Sequence, residues 1–573
     1  MKQIKAIPYG IANFVEVVEQ NMYYADKTMY LPKLENQPKN LFLIRPRRFG
    51  KSIFLSMLRA YYDIAQKDKF QARFGDLWIG HQPTKLQGQF QIVYFDFSKA
   101  SAGSESLAEN FDRYCCGVLD NFAFIYASYY ESDFEKEMRS QPDAASKLNY
   151  LNLKAANTGS RLYLIIDEYD NFANTVLNEQ GSEMYHALTH ASGFYREAFK
   201  IYKGMFERIF MMGVSPVTLD DLTSGFNIGW SISTDPDFNM MLGFSETEVR
   251  EMLQYYKEAG ALEEDVEAMI TEIKPWYDNY CFAPDSLETD PKIFNCDMVL
   301  YYLNNYLKRG KAPEQMIDPN TRTDYNKMKR LIQLDRLDGN RKGVIQDIAE
   351  KGFIITNLVT SFPAEQIARK EIFPSLLFYY GMLTITGTRG SRLILSIPNN
   401  NVRKQYYEYM LEEYQASRHL DLNDLLNAFD SMAFNGNWRP AMEFISEAYK
   451  NNSSVRSAIE GERNIQGFFT AYLSINSYYL LSPEVELNHG YCDMFLLPNL
   501  RYPETAHSYI IELKYLSVKD YDSQADKQWN EAVEQIHGYA KGEKVFQLSH
   551  GTKLHLLIIQ FKGWEVVRME EII

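Results

Sequence analysis

Residues 41–44 of this chain form a short apolar run, Leu-Phe-Leu-Ile, that passes directly into Arg45, Pro46, Arg47, Arg48, Phe49, Gly50, Lys51 and Ser52. A helical stretch from Ile53 to Ala60 follows without a spacer. A buried strand, a turn with a glycine and a helix starting at Lys-Ser aim successive backbone N–H groups at one anion. Lys51 is then in reach of β/γ-phosphates and the Ser52 hydroxyl of a Mg²⁺ ion, so a nucleoside triphosphate, ATP, is the expected ligand of Arg47 to Ile53. The pattern departs from G-x-x-x-x-G-K-[ST] at its first position, where Arg45 stands for glycine, and Pro46 removes one N–H donor. Gly-Lys-Ser alone also occurs in ordinary turns, so a second motif has to support the assignment.

Arg161 to Asp170, R-L-Y-L-I-I-D-E-Y-D, supplies it. Leu162 to Ile166 have the length and branching of a strand buried on both faces, and the run ends in adjacent carboxylates. With the loop upstream, Asp167 is expected in the Mg²⁺ shell and Glu168 beside the attacking water. A further apolar run, Ile209 to Val214, ends in Ser215 and Pro216. Ser215 is placed to sense a γ-phosphate, although Ser before Pro is also a good strand terminator.

A chain of 573 residues with 46% hydrophobic composition has room for three or four domains. Its five cysteines include the adjacent pair Cys115 and Cys116 but no C-x-x-C ladder, which predicts reduced, packed thiols in a cytoplasm. No signal-like segment opens the sequence and no apolar run approaches the ~18 residues of a membrane span, so no membrane contact is expected. Net charge is −15, against indiscriminate nucleic-acid binding. Residues 301–420 nevertheless carry 18 Lys and Arg against 12 Asp and Glu, a local +6 that leaves −21 on the rest.

Apolar runs at 41–44, 92–97, 162–166 and 209–214 alternate with helical stretches such as 53–62 and 104–126, the pattern of an α/β, doubly wound parallel sheet of P-loop NTPase type. The expected division is an ATPase domain at 1–243, a helical lid at 244–289 entered through a capping box of Ser245 and Glu248, a winged-helix-like module at 290–404, a helical linker at 405–450 and a C-terminal α/β domain at 451–573. The winged-helix reading rests on the strand-like segments 383–388 and 392–397 about Gly390; an interdomain packing module fits the same pattern.

The C-terminal domain carries a second candidate site. A helix over 455–475 bears Glu460 and Glu462; strands follow at 484–487, 491–497 and 509–514, then a helix at 527–541 and a strand at 553–560. Asp493 lies on the second strand, and Glu512 and Lys514 lie two apart on the third, hence on one face. Carboxylates from neighbouring strands suit Mg²⁺ or Mn²⁺, with Lys514 orienting water for attack on a phosphodiester. Alone, E-x-K on a strand is more often a solvated edge. Glu183, His186 and His190 share a helical face, which an exposed amphipathic helix explains better than a metal site, and His489 reads as a turn residue.

The segments Ile7 to Gly10, Tyr24 to Thr28, Arg45 to Ser52, Ile166 to Asp170, Gly213 to Ile228 and Leu242 to Val249 together resemble the bacterial AAA-ATPase-like proteins. The Asp493, Glu512, Lys514 arrangement resembles the PD-(D/E)XK nuclease superfamily domain, of restriction-endonuclease-like fold, that such proteins carry at their C-termini. The resemblance implies that Asp26 and Thr28 lie near the nucleotide, that Gln535 and Tyr539 form a Q-x-x-x-Y helix behind the nuclease site, and that a glycine-poor loop is normal. It also implies an arginine where this chain has Cys281.

The expectation is a cytoplasmic, Mg²⁺-dependent P-loop ATPase coupled to a metal-dependent nuclease, with Asp167 and Ser52 holding one ion, Asp493, Glu512 and Glu462 the other, and Glu168 and Lys514 acting on water. The partner is nucleic acid, DNA rather than RNA, with self-association left open. The competing expectation is an ATP-controlled binding switch whose C-terminal domain holds nucleic acid or protein without cleavage.

Overall fold

Four apolar runs of the N-terminal half and one two-residue strand pair in parallel, which requires the helical crossovers between them. In the computed structural model, which describes residues 4–100, 107–171, 202, 204–216, 229–289, 291–319, 341–362, 369, 371–415, 420–452, 462–487, 490–499 and 501–572, these strands are β1 (Asn40–Ile44), β2 (Gln91–Asp96), β3 (Leu162–Asp167), β4 (Arg208–Gly213) and β5 (Trp230–Ser231). Their order is β2-β3-β4-β1-β5, with parallel pairing throughout. β3 and β4 are buried at every position, as a sheet covered on both faces requires. Helices Lys51–Tyr62, Leu107–Ile125 and Ala144–Thr158 provide crossovers; the last starts at Asp143, whose carboxylate accepts from the Ser146 amide, and stops at Gly159, left-handed at φ +66°. Parallel register brings functional strand ends to one edge: Asp96 lies opposite Asp167, and Ile44 opposite Gly213.

The described residues divide into two compact units. One contains the chain up to residue 319 together with 355–398, and the other contains 341–354 and 399–572. In the first unit, helix Glu246–Glu258 begins with the expected capping box: Ser245 Oγ accepts from the Glu248 amide while the Glu248 carboxylate accepts from the Ser245 amide. Its apolar stripe, Val249, Met252, Leu253 and Tyr256, shares one core with Ile270, Ile273 and Tyr277 of helix Val266–Tyr277 and with Val299, Tyr302 and Leu303 of helix Cys296–Arg309. The helical cluster therefore includes a third helix beyond residue 290.

The expected hairpin is present as β7 (Thr384–Arg389) and β8 (Arg392–Ser396), antiparallel about Gly390 at φ +63°. A short strand, β6 (Phe353–Thr356), which the sequence reading lacked, completes a sheet of order β6-β8-β7. Helix Phe373–Tyr379 precedes the hairpin and ends near Gly381, left-handed at φ +77°.

The second unit is built on the sheet β13-β12-β11-β10-β9, from β9 (Tyr479–Leu487), β10 (Gly490–Pro498), β11 (His507–Leu516), β12 (Lys553–Lys562) and β13 (Glu565–Ile572). β11 and β12 are parallel and the other pairs antiparallel. Helix Tyr521–Ala540 supplies the crossover between the parallel pair and buries Trp529, Ala532, Ile536 and Tyr539 against Cys492, Phe495, Ile510 and Ile558. Helix Glu462–Leu473 also packs on β11. All five cysteines are free thiols, and no described helix is long and apolar enough to cross a membrane.

Candidate active sites

The phosphate-binding loop turns through two left-handed residues, Arg48 at φ +66° and Gly50 at φ +85°, immediately before helix Lys51–Tyr62. That geometry delivers the helix N-terminus, with its free N–H groups and positive dipole end, to a cavity of about 570 Å³. Arg47, Arg48, Phe49, Gly50, Lys51, Ser52, Ile53 and Glu168 all line it. Apolar side chains from Ile11, Tyr24, Met241, Leu242 and Leu300 form much of the remaining wall, suiting a flat base beside a phosphate cradle.

Lys51 is buried, and burial lowers its pKa despite the nearby Asp167 carboxylate. Its Nζ donates to the carbonyls of Arg45 (3.1 Å) and Pro46 (2.8 Å). Ser52 Oγ donates to Asp167 Oδ2 at 2.7 Å. Hydroxyl and carboxylate thus converge from two elements 115 residues apart, as two oxygen ligands of one Mg²⁺ must. Desolvation raises the Asp167 pKa, with the Ser52 hydrogen bond and Lys51 opposing it; a divalent cation would relieve that burial cost. Glu168 is itself left-handed, at φ +50°, and its amide donates to Asp167 Oδ1.

Several residues make contacts that the sequence does not signal. Arg45, at the glycine position, lies outside the cavity lining. It is buried behind the loop, with its guanidinium over the Phe282 ring at 4.4 Å and donating to the carbonyls of Ile44, Ser233 and Phe238. Burial pushes its pKa down to about 9. Arg48 lines the cavity but is ion-paired with Asp297 (3.0 Å) and Asp318 (3.7 Å). Phe49 packs its ring against Tyr280 and Phe282. Asp26 and Thr28 fall outside the lining: Asp26 accepts from the Thr28 amide and hydroxyl and from the Trp78 amide, tying a turn whose neighbours, Ala25 and Lys27, reach the cavity. Ser215 is fully buried at the end of β4, also outside the lining. Cys281 makes no ligand-like approach; its thiol donates to the Ala283 carbonyl.

Asp170, the last acid of R-L-Y-L-I-I-D-E-Y-D, has a role the sequence reading did not assign. Its buried carboxylate accepts from the Val214 (3.1 Å) and Ser215 (2.8 Å) amides, locking the end of β4 to the segment that carries Asp167 and Glu168. The signal was available in the spacing, since the metal and water roles were expected of the two acids before it. Close packing against this segment explains Gly213: a Cβ there would lie 2.4 Å from the Tyr169 ring.

In the second unit, β10 and β11 bring Asp493, Glu512 and Lys514 together. Lys514 Nζ lies 2.8 Å from Glu512 Oε2 and 3.8 Å from Asp493 Oδ2. The carboxylates also hold each other's strands: Glu512 Oε1 accepts from the Asp493 amide and Asp493 Oδ2 from the Leu513 amide. Glu512 is 1% exposed, so this is a desolvated cluster and not the edge of a strand in water. Burial raises Asp493 to about 7, with the Glu512 charge adding to it, and burial raises Glu512 as well. Burial works against the Lys514 ammonium too, but the carboxylates of Glu512, Asp493 and Glu462 outweigh it and raise its pKa. Two buried carboxylates sharing one ammonium retain excess negative charge, which fits a hard divalent cation.

Glu462 begins its helix on the same side, raised by burial and within electrostatic reach of Lys514 and Asp493. Yet no group of three or more His, Cys, Asp or Glu side chains among the described residues is gathered at metal-holding distance. Gln466, four residues along that helix, donates to the Asp493 carbonyl at 3.0 Å, a contact the sequence did not signal. Tyr539 packs on the sheet from helix Tyr521–Ala540, close enough to feel the Glu512 charge. Glu183, His186, His190, Glu460, His489 and residues 217–228 lie outside the described residues.

Residues 8–223 match the family model described as predicted AAA-ATPase, and residues 460–571 match that of the PD-(D/E)XK nuclease superfamily. A protein of Azotobacter chroococcum mcd 1, described as an uncharacterized protein in the vnfD 5' region, is 23% identical over 589 residues, covering 97% of this chain and 96% of that one. Among solved structures, the Aeropyrum pernix ORC2 protein in ADPNP-ADP complexes is 11% identical, covering 66% of this chain and 90% of that chain at a TM-score of 0.29. The ORC1 protein of the same organism in complex with DNA is 10% identical, covering 67% and 90% at 0.26. Both family matches fall on the two sites just described, so the chain carries an AAA-ATPase-like domain at 8–223 and a PD-(D/E)XK nuclease superfamily domain at 460–571.

Proposed function

We propose that this protein binds and hydrolyses ATP with Mg²⁺ and that its C-terminal domain is a metal-dependent phosphodiesterase acting on nucleic acid, DNA rather than RNA. The observation that carries the reading is the buried cluster of Asp493, Glu512 and Lys514, because burying two carboxylates beside a lysine is costly without a charged ligand to serve. A divalent ion at Asp493 and Glu512 would polarise the scissile phosphate and lower the pKa of water. Lys514, held as a cation by the carboxylates, would position the attacking water, and Glu462 would complete the ligand set from its helix.

In the ATPase domain, Lys51 would neutralise the β/γ-phosphates, Ser52 and Asp167 would hold Mg²⁺, and Glu168 would orient water at the γ-phosphate. Arg47, Arg48, Phe49, Gly50 and Ile53 complete the cradle. Asp170 holds the end of β4, where Ser215 stands, against the segment that carries Asp167 and Glu168. The domain division proposed is 1–243, 244–289, 290–404, 405–450 and 451–573, with the β7–β8 hairpin as the wing of a winged-helix-like module.

One observation favours the non-cleaving alternative, an ATP-controlled binding switch. Oxygens of both carboxylates are already engaged by backbone amides and by Lys514, so the cluster also works as a strut between strands. Nucleotide binding and turnover test the ATPase half: Lys51→Ala should lose ATP binding, and Glu168→Gln should keep it while turnover falls about 10²-fold or more. A Glu168→Gln protein that hydrolyses ATP at the wild-type rate removes that residue from its role.

A further inference from the structure

Pro46 does more than cost the loop a donor. A Cβ built on Gly381 would lie 2.9 Å from Pro46 Cβ and 3.0 Å from Pro46 Cγ, so the loop and the turn after helix Phe373–Tyr379 are in contact with no space between them. Beside that contact, the Arg45 guanidinium covers Phe282 at 4.4 Å, and Phe282 in turn meets Phe378 of the same helix, with ring centroids 6.0 Å apart. The root of β7 is joined to this layer by hydrogen bonds: the Cys281 amide donates to Thr384 Oγ1 at 2.7 Å and the Ile385 amide to the Cys281 carbonyl at 3.2 Å. Beyond that root, the hairpin runs outward to exposed Arg389 and Arg392.

We propose that Gly381, with Phe282 and Arg45, positions the phosphate-binding loop from behind, so that the nucleotide cavity and the β7–β8 hairpin are energetically coupled through Pro46. The device lies in the two residues where the loop departs from the usual glycine-first pattern. Lys51 Nζ donates to the carbonyls of Arg45 and Pro46, and a triphosphate would compete for the same ammonium. Drawing Lys51 towards phosphate releases the backbone that rests on Gly381. Pressing on Gly381 from the hairpin side works in reverse, because coupling between two sites is reciprocal. Gly381 does not line the cavity, so it acts only through the loop.

The inference rests on the ATP reading above, and the test separates the two. Gly381→Ala adds one methyl group against Pro46. Gly159→Ala, at the end of helix Ala144–Thr158 and outside the hairpin, imposes a comparable left-handed backbone strain, φ +66° against +77°, with nothing within 4 Å of the added atom. Mg²⁺–ATP affinity of the full chain is measured for both, with thermal melts alongside. Gly381→Ala should weaken binding about 5- to 150-fold, the usual range of site-to-site coupling, Gly159→Ala should leave it unchanged, and Pro46→Gly added to Gly381→Ala should restore the affinity of Pro46→Gly alone. Equal loss in the two alanine variants, or a folded Gly381→Ala protein with wild-type affinity, overturns the proposal. If Gly381→Ala does not fold, hydrogen exchange of residues 378–396 in the wild type decides: Mg²⁺–ATP should change their protection at least twofold, and unchanged protection overturns it. A wild-type chain that binds no Mg²⁺–ATP defeats the ATP reading itself.

Discussion

Replacing Asp493 with asparagine should stabilise the strands around it while removing their metal affinity. The carboxyl moves from an ordinary 3.8 to about 7 because it is buried, with the Glu512 charge adding to the effect. At pH 8, where it is ionised in both folded and unfolded chains, that corresponds to roughly 4 kcal/mol against the folded state. Asn keeps an oxygen for the Leu513 amide but brings two N–H donors into a pocket where Glu512 is the available acceptor, which takes back about 1–3 kcal/mol. The expected net gain is about 2 kcal/mol, or ~30-fold in the opening equilibrium. The sign follows from the raised pKa. The folded state holds this proton more tightly than the unfolded chain, so wild-type stability falls as pH rises from about 4 through about 7 and is level above. The Asn variant lacks this dependence, so its advantage grows over the same window. Hydrogen exchange of residues 490–516 in the full chain, taken as the ratio of variant to wild type at pH 5 and pH 8, cancels the intrinsic rate. Mn²⁺ should protect the wild type at pH 8 and leave the variant unchanged. Faster exchange in Asp493→Asn at pH 8, or a ratio independent of pH, would show that the carboxylate is not held at an electrostatic cost.

Asp170→Ala removes the acceptor of two buried amides, Val214 and Ser215, and should cost about 2–5 kcal/mol in denaturant unfolding with slower ATP turnover; a loss below about 0.5 kcal/mol would remove it from the lock between strand ends. Arg389→Ala with Arg392→Ala should weaken nucleic-acid binding and lower the slope of log affinity against log salt by about 2, with ATP turnover unaltered when no nucleic acid is present. Binding that ignores salt, or no binding at low salt, favours the switch. Arg403 and Lys404 belong to helix Asn400–Gln415 in the second compact unit, so their neutralisation tests that unit separately.

The strands that carry Asp167, Asp493 and Glu512 were legible because apolar runs have one physical use at that length, and because functional side chains stand where such runs end or alternate. β13 was missed: Glu565 to Ile572 is a half-exposed edge strand whose acids and arginine obscure its period. β5 spans two residues and has no pattern to read. Arg45 was opaque for a different reason. Its position marks only a missing glycine, and nothing in one sequence reveals that the guanidinium turns inward to three carbonyls and a ring. The contact of Gly381 with Pro46 joins residues 335 positions apart; such closeness is set by how elements pack, and local spacing does not encode it. Gln466 was hidden likewise, since its partner is a backbone carbonyl that any residue type supplies.

Cleavage of nucleic acid at the buried acids of the second unit can be measured directly. The assay gives the 573-residue chain ATP, Mg²⁺ or Mn²⁺ and a panel of linear, circular and single-stranded DNA and RNA, and compares wild type with Asp493→Ala and Glu512→Ala. The wild type should cleave only with a divalent ion, preferring DNA, and neither variant should cleave while both still hydrolyse ATP at near the wild-type rate. Cleavage by Asp493→Ala equal to wild type, or no cleavage by a wild-type protein that binds ATP and nucleic acid, contradicts the nuclease reading and leaves the binding switch in its place.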